Sequence, residues 1–203
     1  LEGNFVNGFY ESEQIRYGEA NFGSPLFSQS LLNLPNMKET RVLLEDEWFT
    51  MEEGTIEDYS RTLHMKDGVL KRSLVWTSPR GRKAEIQFQR LVSFEMKNIM
   101  AIRVQVTPLN FSGKIQFRSR LQADVENHTR KTNPIVDYGP FGRRLEPLRL
   151  EGEGHRLYYE GITKNSRLTA ACGCSHRVSG SGCETGWEFC IEELEGTAVL
   201  TAE

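Results

Sequence analysis

What this chain has little of narrows it first. No apolar run approaches the roughly 18 residues a membrane-spanning helix needs, so a helical membrane protein is excluded. No basic stretch leads into an apolar one, so no secretory signal is written in the sequence. The net charge is −3, and "RGRK" (80–83) and "GRR" (142–144) are the dense basic spots. Nucleic-acid binders carry a basic patch or stripe, which is lacking, so neither nucleic acid nor a membrane is an expected partner. "RGRK" falls in a predicted hairpin turn, where solvated charge is the ordinary explanation.

Catalytic signatures are lacking too. There is no G-x-S-x-G, H-E-x-x-H, P-loop or G-x-G-x-x-G. His64, His128, His155 and His176 are scattered over predicted strands and loops, with His64 on a polar strand face. The acidic runs "EDE" (45–47), "EE" (52–53) and "EELE" (192–195) fall in predicted turns. In a chain with 28 Asp and Glu such pairs are too common to mark an acid–base site. No residue is therefore assigned a catalytic, cofactor-binding or metal-binding role. Without a secretory route, the sequons Asn110-Phe-Ser and Asn127-His-Thr read as accidental.

Cysteines number only four: Cys172, Cys174, Cys183 and Cys190, with His176 nearby. Cys and His are the usual zinc ligands, but the spacing favours another reading. In "RLTAACGCSHRV" (167–178) a period of two places Leu168, Ala170, Cys172, Cys174, His176 and Val178 on one face. Cys172 and Cys174 then read as small hydrophobes on the buried side of a strand, ahead of a disulfide or a metal site. Reduced thiols in a cytoplasmic protein are the expectation.

What is present is strand. The length, 203 residues, fits one all-β domain and buries roughly 70% of the unfolded surface. Five alternating runs, 58–65, 69–78, 83–94, 99–109 and 114–125, are separated by turn chemistry such as "KDG" (66–68), "SPRGR" (78–82) and "NFSG" (110–113). Leu70, Leu74 and Trp76 share a face, as do Ala84, Ile86, Phe88 and Val92. Segments 155–163, 167–178, 186–194 and 196–203 resume the pattern, with Trp187, Phe189 and Ile191 on one face. Short, regularly spaced strands of this kind predict an all-β, large antiparallel β-sandwich of hairpin-linked strands. Residues 126–154, rich in Pro and Gly, read as a long irregular loop that packs on something through Ile135, Val136, Tyr138, Phe141, Leu145 and Leu148.

Two ends of the chain stand out. The opening stretch carries Phe5, Phe9, Tyr10, Tyr17 and Phe22 among glycines and fits neither helix nor strand. The chain starts at Leu1 without an initiator Met and stops at Glu203 within a strand-like run, so both termini read as cut.

"LEGNFVNGFYESEQIRYGEANFGSP" (1–25) followed by "LLNLPN" (31–36) resembles the N-terminal domain of glycoside hydrolase family 65, the inverting maltose, trehalose and kojibiose phosphorylases. "YSRTLHMKDGVLKRSLVWTSPRGRKAEIQFQRLVSF" (59–94) and "MAIRVQVTPLN" (100–110) keep the order of that family. The likeness is strongest over residues 1–125; through 126–203 the strand rhythm alone matches. The resemblance implies a β super-sandwich that precedes a helical linker, an (α/α)6 catalytic barrel and a small C-terminal β domain. Residues 1–203 would be one domain, truncated from a multidomain enzyme whose missing barrel is its partner, with homodimer contacts besides. The parent reaction would be phosphorolysis of an α-glucoside with inversion, using inorganic phosphate as co-substrate and no cofactor. Inverting hydrolases need a second carboxylate to activate water, whereas phosphate is already a nucleophile. The family's acid and phosphate ligands come from the barrel, and no position of this chain matches them. The alternative is a carbohydrate-binding β-sandwich module that uses exposed aromatics, with Trp48 and Tyr17 as candidates.

Overall fold

The structure, a computed structural model, describes residues 3–17, 19, 22–127, 142–180, 187–192 and 197–202, the last two ranges as backbone. Among these residues there are strands and no helix. In chain order the strands are β1 (Tyr10–Gln14), β2 (Phe27–Leu31), β3 (Asn36–Leu44), β4 (Glu47–Trp48), β5 (Thr55–His64), β6 (Val69–Thr77) and β7 (Lys83–Val92). There follow β8 (Met100–Pro108), β9 (Ile115–Gln122), β10 (Leu145–Glu153), β11 (Arg156–Thr163), β12 (Thr169–Ser175), β13 (Trp187–Glu192) and β14 (Thr197–Ala202). They form four sheets, ordered β1-β2, β10-β11-β12, β13-β14-β9-β3-β4 and β5-β6-β7-β8. The fold is all-β and antiparallel.

The chain divides into two compact units. One comprises Leu1–Glu39 with Ser119–Thr201, the other Thr40–Arg118 with Ala202–Glu203. The second unit shows why the alternating runs fold as they do. Across β6, β7 and β8, Leu74 faces Ile86 and Ile86 faces Val106, while Trp76 faces Ala84. Leu74, Trp76, Ala84 and Ile86 are fully buried against Val42 and Leu44 of β3, with Ile115 and Phe117 of β9 packed beside them. Sheet thus lies on sheet, and each large apolar side chain contributes about 1.5–3 kcal/mol by leaving water. The Trp76 indole N–H donates to the Glu53 carbonyl at 2.8 Å, and Phe49 meets the Trp76 ring edge-on at 5.4 Å. A bulge between Glu57 and Ser60, with Asp58 at φ +50°, shifts the parity of β5. Ile56 before it pairs with Trp76, and Arg61 and Leu63 after it pair with Arg72 and Leu70, so all three belong to the face that carries the core.

In the first unit, Leu121, Ala123, Leu157 and Tyr159 form the buried centre, with Met37, Leu150, Cys172 and Cys174 against it. The Tyr159 ring passes directly over Gly161, where an added Cβ would lie 2.0 Å from the phenol oxygen. Only glycine fits beneath it.

Four expectations need correction. The opening stretch does contain a strand: β1 pairs with β2 in full register, hidden in the sequence because "YESEQ" buries a glutamate instead of alternating apolar residues. Residues 145–153 are not irregular loop but β10, paired with β11. Pro147 and the register shift between Pro147 and Arg149 break the period that would have shown it. Leu168 is exposed, because the strand begins one residue later, after Arg167 at φ +55°. Val92 is exposed too, although it shares the face of Ile86. The rest of the 126–154 segment from 128 to 141, with Ile135, Val136, Tyr138 and Phe141, lies outside the described residues. So do His128, Cys183, Glu203 and the side chains of Trp187, Phe189, Cys190 and Ile191.

Candidate functional site

The quoted opening motif acquires a physical reason in the first unit. The Asn4 backbone N–H donates to Asn33 Oδ1 at 2.9 Å, and the Asn4 side chain donates to the Pro35 carbonyl at 2.6 Å. Asn33 in turn donates its backbone N–H to Asn127 Oδ1 at 2.8 Å and its amide to the Glu126 carbonyl at 3.1 Å. Asn127 closes the ladder by donating to the Leu31 carbonyl at 2.9 Å. "GNF" and "LLNLPN" are therefore neighbours through amide hydrogen bonds, which suits Asn because one side chain both donates and accepts.

Glu11 is fully buried. Its carboxylate accepts from the backbone N–H of Ser166 at 2.7 Å, of Asn165 at 3.0 Å and of Ser12 at 3.0 Å. Burial works to raise its pKa, but these donors and the Ser166 hydroxyl more than offset that and hold it below the usual glutamate value. Every carboxylate oxygen is used for tethering β1 to the turn after β11. Glu11 acts as a clamp.

Beside the clamp lies a shallow polar groove of about 520 Å³, lined by Ser12, Glu13, Gln14, Arg16, Phe27 and Asn165. Glu13 is held by Arg144 at 2.7 Å, which accounts for part of "GRR"; Arg143 pairs with Asp124 at 2.5 Å.

The other candidates resolve into structural roles. Cys172 and Cys174 pack on the core as read from the alternation. Burial pushes the Cys172 thiol up to about 12 and the Cys174 thiol up to about 11, so neither supplies a thiolate, the form that attacks or binds metal. Among the described residues no group of three or more His, Cys, Asp or Glu is placed to hold a metal. His176 contacts Ser119 Oγ through Nε2 at 2.7 Å and the His155 carbonyl through Nδ1 at 3.0 Å, and burial lowers its pKa. His64 is exposed, as expected.

"EDE" and "RGRK" are more than solvated turns. Glu47 accepts from Ser78 Oγ at 2.7 Å, from the Arg80 backbone N–H at 2.9 Å and from Arg82 Nη1 at 2.5 Å. Asp46 pairs with Arg82 at 2.8 Å and with Arg80. The knot ties the β3–β4 turn to the β6–β7 turn. Both sequon asparagines are engaged as well: Asn110 accepts from the Lys83 N–H at 2.6 Å and donates to the Gly81 carbonyl at 2.9 Å.

The aromatic candidates do not present open platforms. Two guanidinium groups already lie over the Trp48 ring, Arg41 at 4.5 Å and Arg118 at 5.1 Å from its centroid. Tyr17 is half-buried and its hydroxyl donates to the Pro25 carbonyl at 2.9 Å.

What the second unit does present is an apolar sheet end. The face of β5-β6-β7-β8 that carries Leu74 and Ile86 runs on past the buried cluster toward the turns after β5 and β7. There Leu63, Met65, Val92, Phe94, Met96 and Ile99 are exposed, Phe94 to 90% and Met65 to 85%. The two turns are neighbours, since a Cβ on Gly68 would stand 3.6 Å from the Phe94 ring. Gly68 itself sits at φ +67°, the conformation the "KDG" turn requires of it. Exposed single hydrophobes are ordinary, but six around one sheet end make a patch of the kind that marks an interaction surface.

Comparison with known proteins places this architecture. A 205-residue match covers 100% of this chain at 32% identity and 26% of the α,α-trehalose phosphorylase of Geobacillus stearothermophilus. The α,α-trehalose phosphorylase of Thermoanaerobacter brockii is also 32% identical, over 85% of this chain and 22% of that protein. The chain thus spans about a quarter of the length of these relatives. Among solved structures, "Putative kojibiose phosphorylase from human microbiome" superposes with a TM-score of 0.77 at 15% identity, covering 99% of this chain and 24% of the other. The model of the glycosyl hydrolase family 65 N-terminal domain matches residues 1–201. The chain belongs to glycosyl hydrolase family 65 and is its N-terminal domain.

Proposed function

We propose that this domain is the non-catalytic scaffold of a family 65 phosphorylase, and that it supports an (α/α)6 barrel in which the sugar chemistry takes place. The parent reaction on this reading is inverting phosphorolysis of an α-glucosidic disaccharide such as trehalose or kojibiose. The relatives' names support that reaction class. The observation that carries the scaffold role is the exposed patch of Leu63, Met65, Val92, Phe94, Met96 and Ile99. A side chain such as Phe94 gains about 1.5–3 kcal/mol when a neighbour removes it from water, so a domain that leaves six together is shaped for one.

The buried Glu11 and the half-buried Glu47, Cys172 and Cys174 fit the same reading, because each is consumed by the fold. Glu11 and Glu47 have their oxygens satisfied by backbone and side-chain donors, and Cys172 and Cys174 are protonated. The carbohydrate-module reading is not adopted, since it rests on Trp48 and Tyr17 and their surroundings occupy both.

The test is Phe94→Asp. In the domain of residues 1–203 a substitution at so exposed a site changes stability by no more than about 0.5 kcal/mol. In the whole protein it introduces a charge into a covered interface and costs about 2 kcal/mol or more. Equal, negligible effects in both settings would refute the docking role.

A further inference from the structure

Three arginines stand on the sheet face that leads to this patch. Arg61 and Arg72 are direct cross-strand partners of β5 and β6, and Arg72 partners Phe88 of β7. Arg90 lies two residues further along β7, opposite Leu70. The unbroken register from the 65–68 turn puts Arg61 on the same face as the other two, and the bulge at Asp58 lies beyond it. Residues directly opposite in a sheet have Cβ atoms about 4.5–5.5 Å apart, and like charges there destabilise it.

No carboxylate among the described residues relieves this repulsion. Arg61, Arg72 and Arg90 make no hydrogen bond or ion pair among the described residues. The compensation is aromatic: the Arg72 guanidinium lies 4.2 Å from the Phe88 ring centroid, and Tyr59 acts on Arg72 in the direction that favours its charge. Partial burial and the neighbouring Arg61 and Arg90 charges also lower the pKa of Arg72. Elsewhere in this unit charge is matched with care, as the Asp46–Glu47–Arg80–Arg82 knot shows. Unmatched guanidinium groups at the edge of an exposed apolar patch are the arrangement expected of half an interface, with apolar area for affinity and charge for register.

We propose that Arg61, Arg72 and Arg90 form a docking site that receives carboxylates from an acidic, apolar-flanked surface of the same parent polypeptide, outside residues 1–203. The proposal rests on the scaffold reading above and specifies where and by what chemistry the neighbour binds. A second copy of this face is a poor occupant, because a two-fold contact sets a patch against itself and would bring arginines together. The adjoining Leu63, Met65 and Val92 favour a protein surface over a small hydrated anion.

The test uses the whole encoded protein and peroxide oxidation of Met65 and Met96, followed by peptide mass spectrometry. Met51, exposed in the same unit away from the two turns, is the internal reference. In the wild type Met65 and Met96 are expected to oxidise more slowly than Met51. Arg72→Gln, and the double variant Arg61→Gln/Arg90→Gln, are expected to speed their oxidation about tenfold by removing charge-assisted contacts. Arg72→Lys keeps the charge and should retain most of the protection, and Arg103→Gln, on the opposite face, should change nothing. Protection that survives in Arg72→Gln and in the double variant would overturn the arginine proposal while leaving the scaffold reading intact. No protection in the wild type would overturn both. A thermal shift with inorganic phosphate that disappears in Arg72→Gln would identify a small anion as occupant and also overturn the proposal.

Discussion

The Asn4 backbone N–H donates to the Asn33 side-chain oxygen at 2.9 Å, across 29 residues of chain. That one bond joins the two motifs by which the family is recognised at its N-terminus. Asn33 also carries the bonds to Asn127 and Glu126, so it is the middle rung of a ladder that holds the opening segment to the first unit.

Asn33→Ala removes the side-chain acceptor of Asn4 and the donor to Glu126. Two hydrogen bonds at about 1 kcal/mol each, with partners left partly unsatisfied, predict a loss of about 1–3 kcal/mol. Urea unfolding should show a lower midpoint with unchanged slope. An unaltered midpoint would show the ladder to be incidental.

Glu11 predicts a pH dependence with a definite sign. Its folded-state pKa is depressed, so its contribution is present above the ordinary glutamate value, about 4.3, and is lost as pH falls through the folded-state value. Wild-type stability should drop more steeply below that point than the stability of Glu11→Gln. At neutral pH the variant should be weaker by about 1.5–3 kcal/mol, the range for hydrogen bonds to a charged group. Parallel pH profiles would contradict the assignment.

Tyr159 and Gly161 predict opposite signs within one contact. The Tyr159 hydroxyl is buried without a hydrogen-bond partner among the described residues, and burial pushes its pKa up to about 12. Tyr159→Phe keeps the ring and discards the unsatisfied group, so it should leave stability unchanged or raise it by about 1 kcal/mol. Gly161→Ala drives a methyl into that ring and should cost about 1–3 kcal/mol. Thermal melts of the pair check both.

Cys172 and Cys174 predict slow thiol chemistry. With both pKa values raised by burial, little thiolate exists at pH 8. A disulfide reagent should label neither in the native protein and both after unfolding, as peptide mapping would show. Rapid native labelling of either would contradict their place in the core.

Much of the second unit was legible in the sequence because its strands alternate cleanly. The runs around Leu74, Ile86 and Val104 announce both the strand and its buried face. β1 and β10 were illegible for identifiable reasons: one buries a carboxylate held largely by the distant Asn165 and Ser166, and the other is broken by Pro147 and a bulge. The N-terminal motif could be recognised as a string, but the Asn4–Asn33–Asn127 ladder that explains it joins positions scattered along the chain. The arginine cluster left a faint trace, since Arg61 alternates with Leu63 and Arg72 with Leu70 and Leu74. The register through the 65–68 turn had to be known before Arg61 and Arg72 could be set opposite each other.

The central claim is that this domain supports sugar chemistry without performing it. The most direct measurement is release of glucose 1-phosphate from trehalose, kojibiose and maltose in the presence of inorganic phosphate, by residues 1–203 and by the whole encoded protein. The account predicts turnover of at least one disaccharide by the whole protein and none by the domain. Phosphate-dependent cleavage by residues 1–203 alone would contradict it.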